Sequence, residues 1–439
     1  MSPGMNGGGG APVDFDVIVI GAGPAGLMTA HSLARVGRSV VVIERGEAVG
    51  SKNLSGGIMY CHAIREVFPD FLDSAPVERL IARNVLVFGT GSGHVAIDYA
   101  DQRLSAAGTA VTVLRARLDP WLAARCEEAG AMVMPGLRVD SLLIEGGRVA
   151  GVVAGQDELR SHVVVAADGV NSFIARGAGF RPPPKMSQLG VGIKGVVKLS
   201  EAQINDRFQL AEGQGAAFSI TGEVTGGIGG GGFLYTNRDS VSVGLILRLD
   251  DLTAQGGDSS VLFEGLLANR FVAPYIDGGR LIEYGSHLVN EGGQAMMGDI
   301  VWDGLVAVGD AAGLTINTGL TVRGMDLAVG SGIAAAKGID AALAAGDATA
   351  QGLAGYPAAL RESFVGQDMS TFAKMPAFLE NPRLYRDYGQ LTADVLRGVY
   401  NLDLTPRRPL LSLARQAVRE SPVRIRQLLA DSLKAVRAL

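Results

Sequence analysis

Apolar runs of strand length alternate with helical spacing in the first part of the chain. Phe15–Ile20 is rich in β-branched residues, and apolar residues at helical spacing follow it in Leu27–Val36. Further apolar runs occupy Ser39–Ile43, Arg160–Val165 and Gly304–Val308. Strands that alternate with helices are typical of βαβ units, so this pattern predicts an α/β fold built on a parallel sheet.

A different pattern fills residues 186–292. Its β-rich segments, separated by turn residues, are VGIKGVVKL, AAFSI, FLYTNRDSVSVGLIL and LIEYGSHLV. Short strands joined by turns predict an antiparallel sheet, and therefore a second domain interleaved with the first.

Composition narrows the class of protein. The chain has 439 residues, enough for two interleaved domains, and a net charge of −5 that gives no field to attract nucleic acid. Its two cysteines exclude a disulfide scaffold and an internal four-cysteine iron–sulfur site. No two pairs of His or Cys residues lie at the spacing of metal ligands, so the sequence predicts no metal site. Residues 1–13 lack the apolar core of a signal peptide and are expected to be a flexible lead, and we expect no transmembrane helix.

The first strand leads directly into Gly21-Ala22-Gly23-Pro24-Ala25-Gly26, and the second strand ends in Glu44. In a strand–turn–helix unit, Gly21 makes the turn, Gly23 admits a pyrophosphate and Gly26 lets the helix pack on the strand. Glu44 follows at the distance where a carboxylate hydrogen-bonds a ribose hydroxyl. The sequence therefore predicts a dinucleotide site.

Two further strand ends carry the same features. Ala167-Asp168-Gly169 follows the third run, and Gly309-Asp310 follows the fourth. A nicotinamide site requires only the first motif, whereas a flavin dinucleotide held lengthwise touches several strand ends, so three such ends indicate FAD. An alternative is that Asp310 only caps a helix.

This triplet resembles the superfamily of para-hydroxybenzoate hydroxylase, where an aspartate like Asp310 binds the ribityl chain. The resemblance implies a Rossmann-like FAD-binding domain of that type, with the helix after Asp310 pointing its N-terminus at the flavin. It further implies flavin contacts from Gly319, Leu320 and Thr321, and a contact of Arg115 with the cofactor. Arg45 can stack on adenine or be an exposed charge.

Four segments are similar to one family in the same order along the chain: residues 50–60, 115–122, 229–237 and 283–293. That family is FixC, the flavoprotein subunit related to electron-transfer flavoprotein:quinone oxidoreductase. The similarity runs from Asp14 to the end of the helix that begins near Met325, and it is weakest after Ala373. It implies further cofactor contacts from Asn53, Ser55, Gly56 and Gly57.

The resemblance implies an FAD-dependent oxidoreductase that passes electrons from electron-transfer flavoprotein α/β-type subunits (FixA/FixB-like) to a membrane quinone. Because this chain lacks cluster cysteines, a small ferredoxin-like partner (FixX-like) is implied, and such complexes can bifurcate electrons. The quinone-contact candidates that the resemblance implies are Gly230, Gly231 and Tyr235, although the tyrosine that precedes the two glycines in the relatives is Gly229 here. A glycine-rich hairpin that only permits close packing is the alternative for this segment, and His287 is either a ligand contact or structural.

The expected division of the chain is a cofactor domain at 14–78, 101–183 and 294–372, a quinone domain at 79–100 and 184–293, and a helical region at 373–439. The last region is basic and amphipathic, so it can lie on a membrane or dock a partner, and a solvated helical hairpin is the alternative. We therefore expect a cytoplasmic protein held at the inner face of the membrane. Two other functions stay open: a single-component FAD-dependent hydroxylase or prenyl reductase, and a noncatalytic FAD-bearing scaffold.

Overall fold

A computed structural model describes residues 12–52 and 57–439. The strands in these residues are β1 (Phe15–Ile20), β2 (Val40–Glu44), β3 (Gly57–Tyr60), β4 (Val77–Thr90), β5 (Gly93–Ala100), β6 (Ala110–Val113), β7 (Met132–Pro135), β8 (Ser141–Glu145), β9 (Arg148–Ala154), β10 (Asp157–Ala166), β11 (Leu189–Lys198), β12 (Gln214–Gly222), β13 (Gly230–Thr236), β14 (Ser240–Arg248), β15 (Arg280–Asn290), β16 (Val301–Trp302), β17 (Leu305–Ala307), β18 (Ile316–Asn317) and β19 (Val322–Arg323).

The α-helices are α1 (Pro24–Arg35), α2 (His62–Val67), α3 (Phe71–Ser74), α4 (Gln102–Ala106), α5 (Arg115–Glu128), α6 (Phe173–Gly177), α7 (Glu201–Phe208), α8 (Leu249–Ala254), α9 (Ser259–Ala268), α10 (Ala273–Ile276), α11 (Met325–Ala344), α12 (Gly355–Glu362), α13 (Phe364–Thr371), α14 (Met375–Leu379), α15 (Arg383–Arg386), α16 (Tyr388–Tyr400), α17 (Leu410–Glu420) and α18 (Ile425–Ala438). Short 3-10 helices occupy Met186–Gln188, Glu223–Thr225, Gly293–Met296, Gly309–Ala312 and Gly352–Ala354.

The first sheet has the strand order β16-β17-β10-β1-β2-β7, and β9 joins its side through β10. From β17 to β7 the strands run parallel. Most of β1, β2 and the end of β10 is apolar and buried, as expected for parallel strands covered on both faces. Because parallel strands end at the same edge, the turns that follow β1, β2, β10 and β17 lie together there.

The second sheet has the order β15-β11-β14-β13-β12-β4-β6-β3, with β5 paired to β4. Residues 186–292 contribute β11 to β15, as their turn-separated pattern predicts. Two features of this sheet differ from the sheet that the sequence predicts. β12 and β4 run parallel, because the chain returns through the first sheet between them. β3 and β6 also belong here, although the predicted boundaries placed their residues in the cofactor domain; four-residue strands carry too little pattern to indicate their partners.

Small residues let the helices beside the first sheet approach closely. A Cβ atom on Gly332 of α11 would lie 2.6 Å from the carbonyl oxygen of Ala25 in α1, and one on Gly338 would lie 2.4 Å from the backbone nitrogen of Tyr356 in α12. The buried Tyr356 hydroxyl donates to the carbonyl of Ala307 at 2.9 Å. These contacts hold α1, α11 and α12 against the strand ends.

By length and composition alone, α11 could cross a membrane. Inside the protein, however, 67% of its apolar window is buried, and a core helix meets the same criteria. Among residues 12–52 and 57–439, α11 is the one helix that meets these criteria of length and composition.

Helices α14 to α18 form the region predicted to be helical. α16 packs on β4 and β5, α17 packs on α16, and α18 packs on α14. The carboxylate of Asp431 attaches α18 to residues 381–388 through hydrogen bonds. It accepts from Asn381 Nδ2 at 2.8 Å, from Arg383 Nε at 2.7 Å and from the Tyr388 hydroxyl.

Candidate functional site

A cavity of about 750 Å³ lies where the two sheets meet. One side is lined by residues at the ends of the parallel strands, from Gly21 after β1 to Val308 after β17. The other side is lined by β11, β13, β14 and β15 of the second sheet. Its size and position at the carboxyl ends of parallel strands are those of a ligand site in an open α/β fold.

The glycine turn after β1 has the geometry that the motif predicts. Gly21 has a φ of +104°, and a Cβ atom on it would lie 2.4 Å from the carbonyl oxygen of Ala167. A Cβ on Gly26 would lie 2.2 Å from the carbonyl oxygen of Gly21, so this glycine serves helix packing and does not line the cavity. Gly23 is more open, with the nearest atom, Nη2 of Arg115, at 3.6 Å. Pro24 and Ala25 begin α1 and line the cavity.

Glu44 joins the end of β2 to this turn. Its Oε2 accepts from the backbone N–H of Ala22 at 3.0 Å, and its Oε1 accepts from the backbone N–H of Gly46 at 2.7 Å. The carboxylate also lines the cavity, as does the exposed Arg45 beside it. A carboxylate has about four acceptor positions, so Glu44 can hold the turn and still accept from a ligand hydroxyl.

Arg115 enters the cavity from the start of α5. Its Nε and Nη2 lie 2.6 Å and 2.7 Å from the carboxylate oxygens of Asp119, one helical turn further on. Asp119 is fully buried. Burial disfavours the charge of Arg115, yet Asp119, Asp310 and Glu44 outweigh it and raise the pKa of the guanidinium. The cation is therefore fixed in position where an anionic ligand could meet it.

The loop after β10 brings Ala167, Asp168 and Gly169 to the cavity wall. Asp168 Oδ2 accepts from the backbone N–H of Ile174 at 3.0 Å, which ties the loop to α6. Its Oδ1 is buried and finds no hydrogen-bond partner among the described residues. Burial raises the pKa of this carboxyl group.

Asp310 lies in the 3-10 helix that follows β17, with its side chain at the cavity. Burial raises its pKa, while Arg115 and a hydrogen bond with Thr315 act in the opposite direction. The N-cap of α11 is Gly324, so Asp310 does not cap that helix. Gly309 has a φ of +57° and packs against Ala25, where a Cβ would lie 2.7 Å from the Ala25 Cβ. It does not line the cavity.

The hairpin of β18 and β19 differs from the prediction in detail. Gly319, Leu320 and Thr321 form its turn and do not line the cavity, and the side chain of Leu320 is exposed. Hydrogen bonds to Thr318 Oγ1 from the backbone of Leu320 and Thr321 close the turn on itself. The flanking Thr315 and Arg323 line the cavity instead.

The second sheet supplies an aromatic wall. Phe233 and Tyr235 of β13 stack with ring centroids 4.7 Å apart and planes 18° apart, and both line the cavity. Gly230 and Gly231 begin the same strand but do not line it. Gly230 has a φ of +140°, and a Cβ there would lie 2.0 Å from the carbonyl oxygen of Ile246, so close strand packing already requires this glycine.

Three ionisable residues of this wall complete the site. Burial, with Arg115 adding to it, lowers the pKa of Lys194 to about 7. Burial, with Lys194 and Arg115 nearby, lowers the pKa of His287, although the residue is exposed where it lines the cavity. Burial raises the pKa of Glu291 to about 7, against a hydrogen bond from Asn317 at 3.1 Å.

Lys194, Asn290, Glu291 and Arg323 also line the cavity although no sequence motif predicted them, and His287, which had two possible roles, lines it as well. The signal for Lys194 was present, since it is a single charge in the otherwise apolar segment VGIKGVV. Of the residues predicted from the family resemblance, Gly57 lines the cavity, whereas Asn53, Ser55 and Gly56 lie outside the described residues.

The donor and acceptor set fits a flavin dinucleotide. The backbone of the Gly21–Gly26 turn and the start of α1 suit a pyrophosphate, because N–H groups at a helix N-terminus are free to bind anions. Glu44, Asp310 and the Asp168 oxygen without a partner suit ligand hydroxyls. Thirteen predicted site residues meet at this cavity: Gly21, Gly23, Pro24, Ala25, Glu44, Arg45, Gly57, Arg115, Ala167, Asp168, Gly169, Tyr235 and Asp310.

Comparison with known proteins defines the class. Residues 14–208 match the FAD binding domain family. The fold resembles a geranylgeranyl bacteriochlorophyll reductase-like protein from Thermoplasma acidophilum, with a TM-score of 0.70 and 20% identity over 95% of this chain and 98% of that one. It also resembles PqsL of Pseudomonas aeruginosa, a probable FAD-dependent monooxygenase, with a TM-score of 0.58 and 18% identity over 84% and 98%. The predicted fold class is confirmed, and the protein has an FAD-binding domain.

The family is shown by the closer relatives. The chain is 42% identical to the probable electron transfer flavoprotein-quinone oxidoreductase YdiS of Escherichia coli, over 97% of this chain and 99% of YdiS. It is 40% identical to protein FixC of Salmonella typhi over the same shares. Residues 375–439 match the ETF-QO/FixC family C-terminal domain, in the part where the sequence resemblance was weakest. The chain belongs to the ETF-QO/FixC family and is an FAD-dependent oxidoreductase, and the predicted FAD cofactor is confirmed.

Proposed function

We propose that this protein passes electrons from an electron-transfer flavoprotein of the FixA/FixB type to a membrane quinone. A small ferredoxin-like protein of the FixX type would act beside it, and the chain would serve the high-potential branch if the complex bifurcates electrons. The main support for this proposal is the near-full-length similarity to YdiS, which is named a probable electron transfer flavoprotein-quinone oxidoreductase. The stacked Phe233 and Tyr235 support it, since they give the cavity an apolar wall opposite the strand ends.

FAD supplies the redox chemistry when it is bound. The chain's residues would bind and orient it: the Gly21–Gly26 turn at the pyrophosphate, Glu44 at a ribose, and Asp310 at the ribityl chain. Arg115 would place a fixed positive charge beside the cofactor. The second sheet would exclude water from the opposite side and leave the Phe233 and Tyr235 surface for an apolar acceptor.

A reduction and reoxidation experiment tests the proposal. Purified FAD-loaded protein is reduced without oxygen, mixed with a short-chain ubiquinone or menaquinone analogue, and followed by flavin absorbance. We expect reoxidation that is rapid and saturates with quinone. Indifference to every quinone analogue would contradict the proposal. Rapid reduction by NADPH with an oxygen-dependent product would favour a hydroxylase, and a flavin that never changes redox state would favour a scaffold.

A further inference from the structure

Glu291 places an acidic side chain on the cavity face of the second sheet. His287, Val289 and Glu291 alternate along the end of β15 and the residue after it, and all three line the cavity. The Glu291 side chain folds over Gly190 of β11, where a Cβ atom would lie 3.3 Å from the Glu291 Cγ. The carboxyl group therefore lies on the sheet face that faces the cavity, as the aromatic wall does.

Asn317 fixes the orientation of this carboxyl group. The Asn317 Oδ1 accepts from the backbone N–H of Gly319 at 2.9 Å, so the amide nitrogen is the end that faces Glu291. That nitrogen donates to Glu291 Oε2 at 3.1 Å. Oε2 can accept this bond whether the carboxyl group is charged or neutral. A proton on the neutral group is therefore carried by Oε1, for which residues 12–52 and 57–439 provide no hydrogen-bond partner.

Burial outweighs the charges around Glu291. Arg248 favours the ionised carboxylate, but it pairs with Asp250 at 2.7 Å and not with Glu291. The hydroxyl of Tyr385, another titratable group beside Glu291, donates to the carbonyl of Leu379 at 2.7 Å. Burial therefore raises the pKa of Glu291 to about 7, so this group can give and take up a proton near neutral pH.

A small pocket also touches Glu291. The polar residues that line it include Gln294, Thr315 and Asn317, and its volume of about 10 Å³ is close to that of one water molecule. Glu291 lines both this pocket and the large cavity. A proton that Glu291 gives up into the cavity could therefore be replaced from the small pocket.

We propose that Glu291 is the proton donor to the acceptor that is reduced in the cavity. The inference rests on the proposed function, in which this acceptor is a quinone. Reduction of a quinone to its quinol adds two electrons and two protons. Both electrons and one proton come from reduced FAD, and the second proton comes from Glu291. The O–H bond at Glu291 Oε1 breaks, an O–H bond forms on a quinone oxygen, and the carboxylate then takes up a proton from water.

Lys194 is the other residue of this wall whose charge changes near neutral pH. The two positions differ, because Glu291 lines the small pocket and Lys194 does not. Arg115 also lies close enough to Lys194 to disfavour its protonated form. Glu291 therefore has the route for proton uptake that repeated turnover requires. The second sheet and residues 308–328 contribute these other charged or titratable residues to the cavity: Tyr235, His287, Asp310 and Arg323.

Infrared spectroscopy of the oxidised, FAD-loaded protein tests the state of Glu291 without measuring activity. Glu291→Gln keeps the size of the side chain and an oxygen that can accept from Asn317. The difference spectrum between wild type and Glu291→Gln should contain the carbonyl band of a neutral carboxylic acid. We expect this band to disappear as the pH rises through about 7. Absence of the band at every pH would mean that Glu291 is always ionised, and would overturn the inference.

Reoxidation kinetics test the proton transfer itself. After reduction without oxygen, Glu291→Gln should be reoxidised by a short-chain quinone analogue about 10²-fold or more slowly than the wild type, as expected on loss of a positioned general acid. The wild-type rate should fall as the pH rises above about 7, because the carboxylate cannot donate, and the variant should lose this fall. Ferrocenium accepts an electron without a proton, so it should reoxidise both proteins equally fast.

Two further variants serve as comparisons. Glu264→Gln removes an exposed carboxylate on α9, which packs on the same sheet outside the cavity, and should react with quinone as the wild type does. Lys194→Met should keep the fall of the rate with pH. Loss of that fall in Lys194→Met, with its retention in Glu291→Gln, would assign the proton to Lys194 and overturn the inference.

The two acceptors separate this inference from the proposed function. If the wild type reacts with ferrocenium but with no quinone analogue, the proposed function fails, and the inference fails with it. If quinones are reduced and Glu291→Gln changes neither the rate nor its pH dependence, the inference alone fails. Equal slowing of Glu291→Gln with quinone and with ferrocenium would also overturn the inference, because the defect would then lie in electron transfer.

Discussion

The guanidinium of Arg115 and the carboxylate of Asp119 form a two-bond ion pair beneath the FAD cavity, with N–O distances of 2.6 Å and 2.7 Å. The Asp119 side chain is fully buried, and that of Arg115 is 20% exposed on the cavity side. Arg115 thus serves both the fold and the site. Asp119 neutralises its charge within the fold, and the guanidinium remains available to the cofactor.

Arg115→Met should lower the free energy of unfolding by about 3–5 kcal/mol, because it leaves a buried carboxylate without its cation. The double variant Arg115→Met/Asp119→Leu should recover most of that stability but not FAD affinity. Urea denaturation of the FAD-free protein and FAD titration by fluorescence quenching measure the two effects. Recovery of FAD affinity in the double variant would limit Arg115 to a structural role.

Gly26→Ala should destabilise the protein by about 1–3 kcal/mol through overpacking, because its new Cβ would lie 2.2 Å from the carbonyl oxygen of Gly21. The displaced turn should also release FAD, seen as loss of bound flavin after gel filtration. The matched control is Gly265→Ala in α9, where no heavy atom lies within 4 Å of the new Cβ. This control should retain flavin and unfold at the same or a higher temperature.

Glu44→Ala should weaken FAD binding by about 1.5–3 kcal/mol, the contribution of a hydrogen bond to a charged group. It removes both the proposed ribose contact and the bonds that order the turn at Ala22 and Gly46. The exposed Glu47, on the same loop, supplies the control Glu47→Ala, which should bind FAD normally. Isothermal titration calorimetry gives the affinities, and equal affinities in the two variants would contradict the role of Glu44.

Stability of the FAD-free protein should depend on the protonation of Lys194. Its pKa is lowered from 10.5 to about 7 on folding, so between these values the unfolded chain binds more protons, and this residue makes stability rise with pH. The charged and titratable groups around it are Arg115, His287 and Glu283.

Lys194→Met should therefore be more stable than the wild type near pH 7 and should show a shallower rise from pH 7 to pH 10. Urea denaturation at each pH measures this slope. Lys337→Met, at an exposed position of α11, is the control and should keep the wild-type slope. An unchanged slope in Lys194→Met would show that the wild-type amine is not desolvated in the folded state.

Local sequence determined the strand–turn–helix unit and its chemistry. Gly21, Gly23, Gly26 and Glu44 lie within one continuous stretch, and the constraint on each comes from neighbours in that stretch. The strand ends that carry Asp168 and Asp310 could be found in the same way, because buried parallel strands are apolar throughout and stop abruptly at small polar turns.

The residues that complete the site could be identified only from the tertiary structure. Lys194, His287 and Glu291 reach the cavity because the second sheet folds over the strand ends, and no local spacing records that approach. The same holds for the parallel pairing of β12 with β4, which joins strands far apart in the chain. For α18, periodicity indicated an amphipathic helix. Which side of it faces the protein depends on Asn381 and Arg383, which bind Asp431 and lie far from it in the chain. Hydrophobic patterning describes one element at a time, whereas these features depend on where separate elements meet.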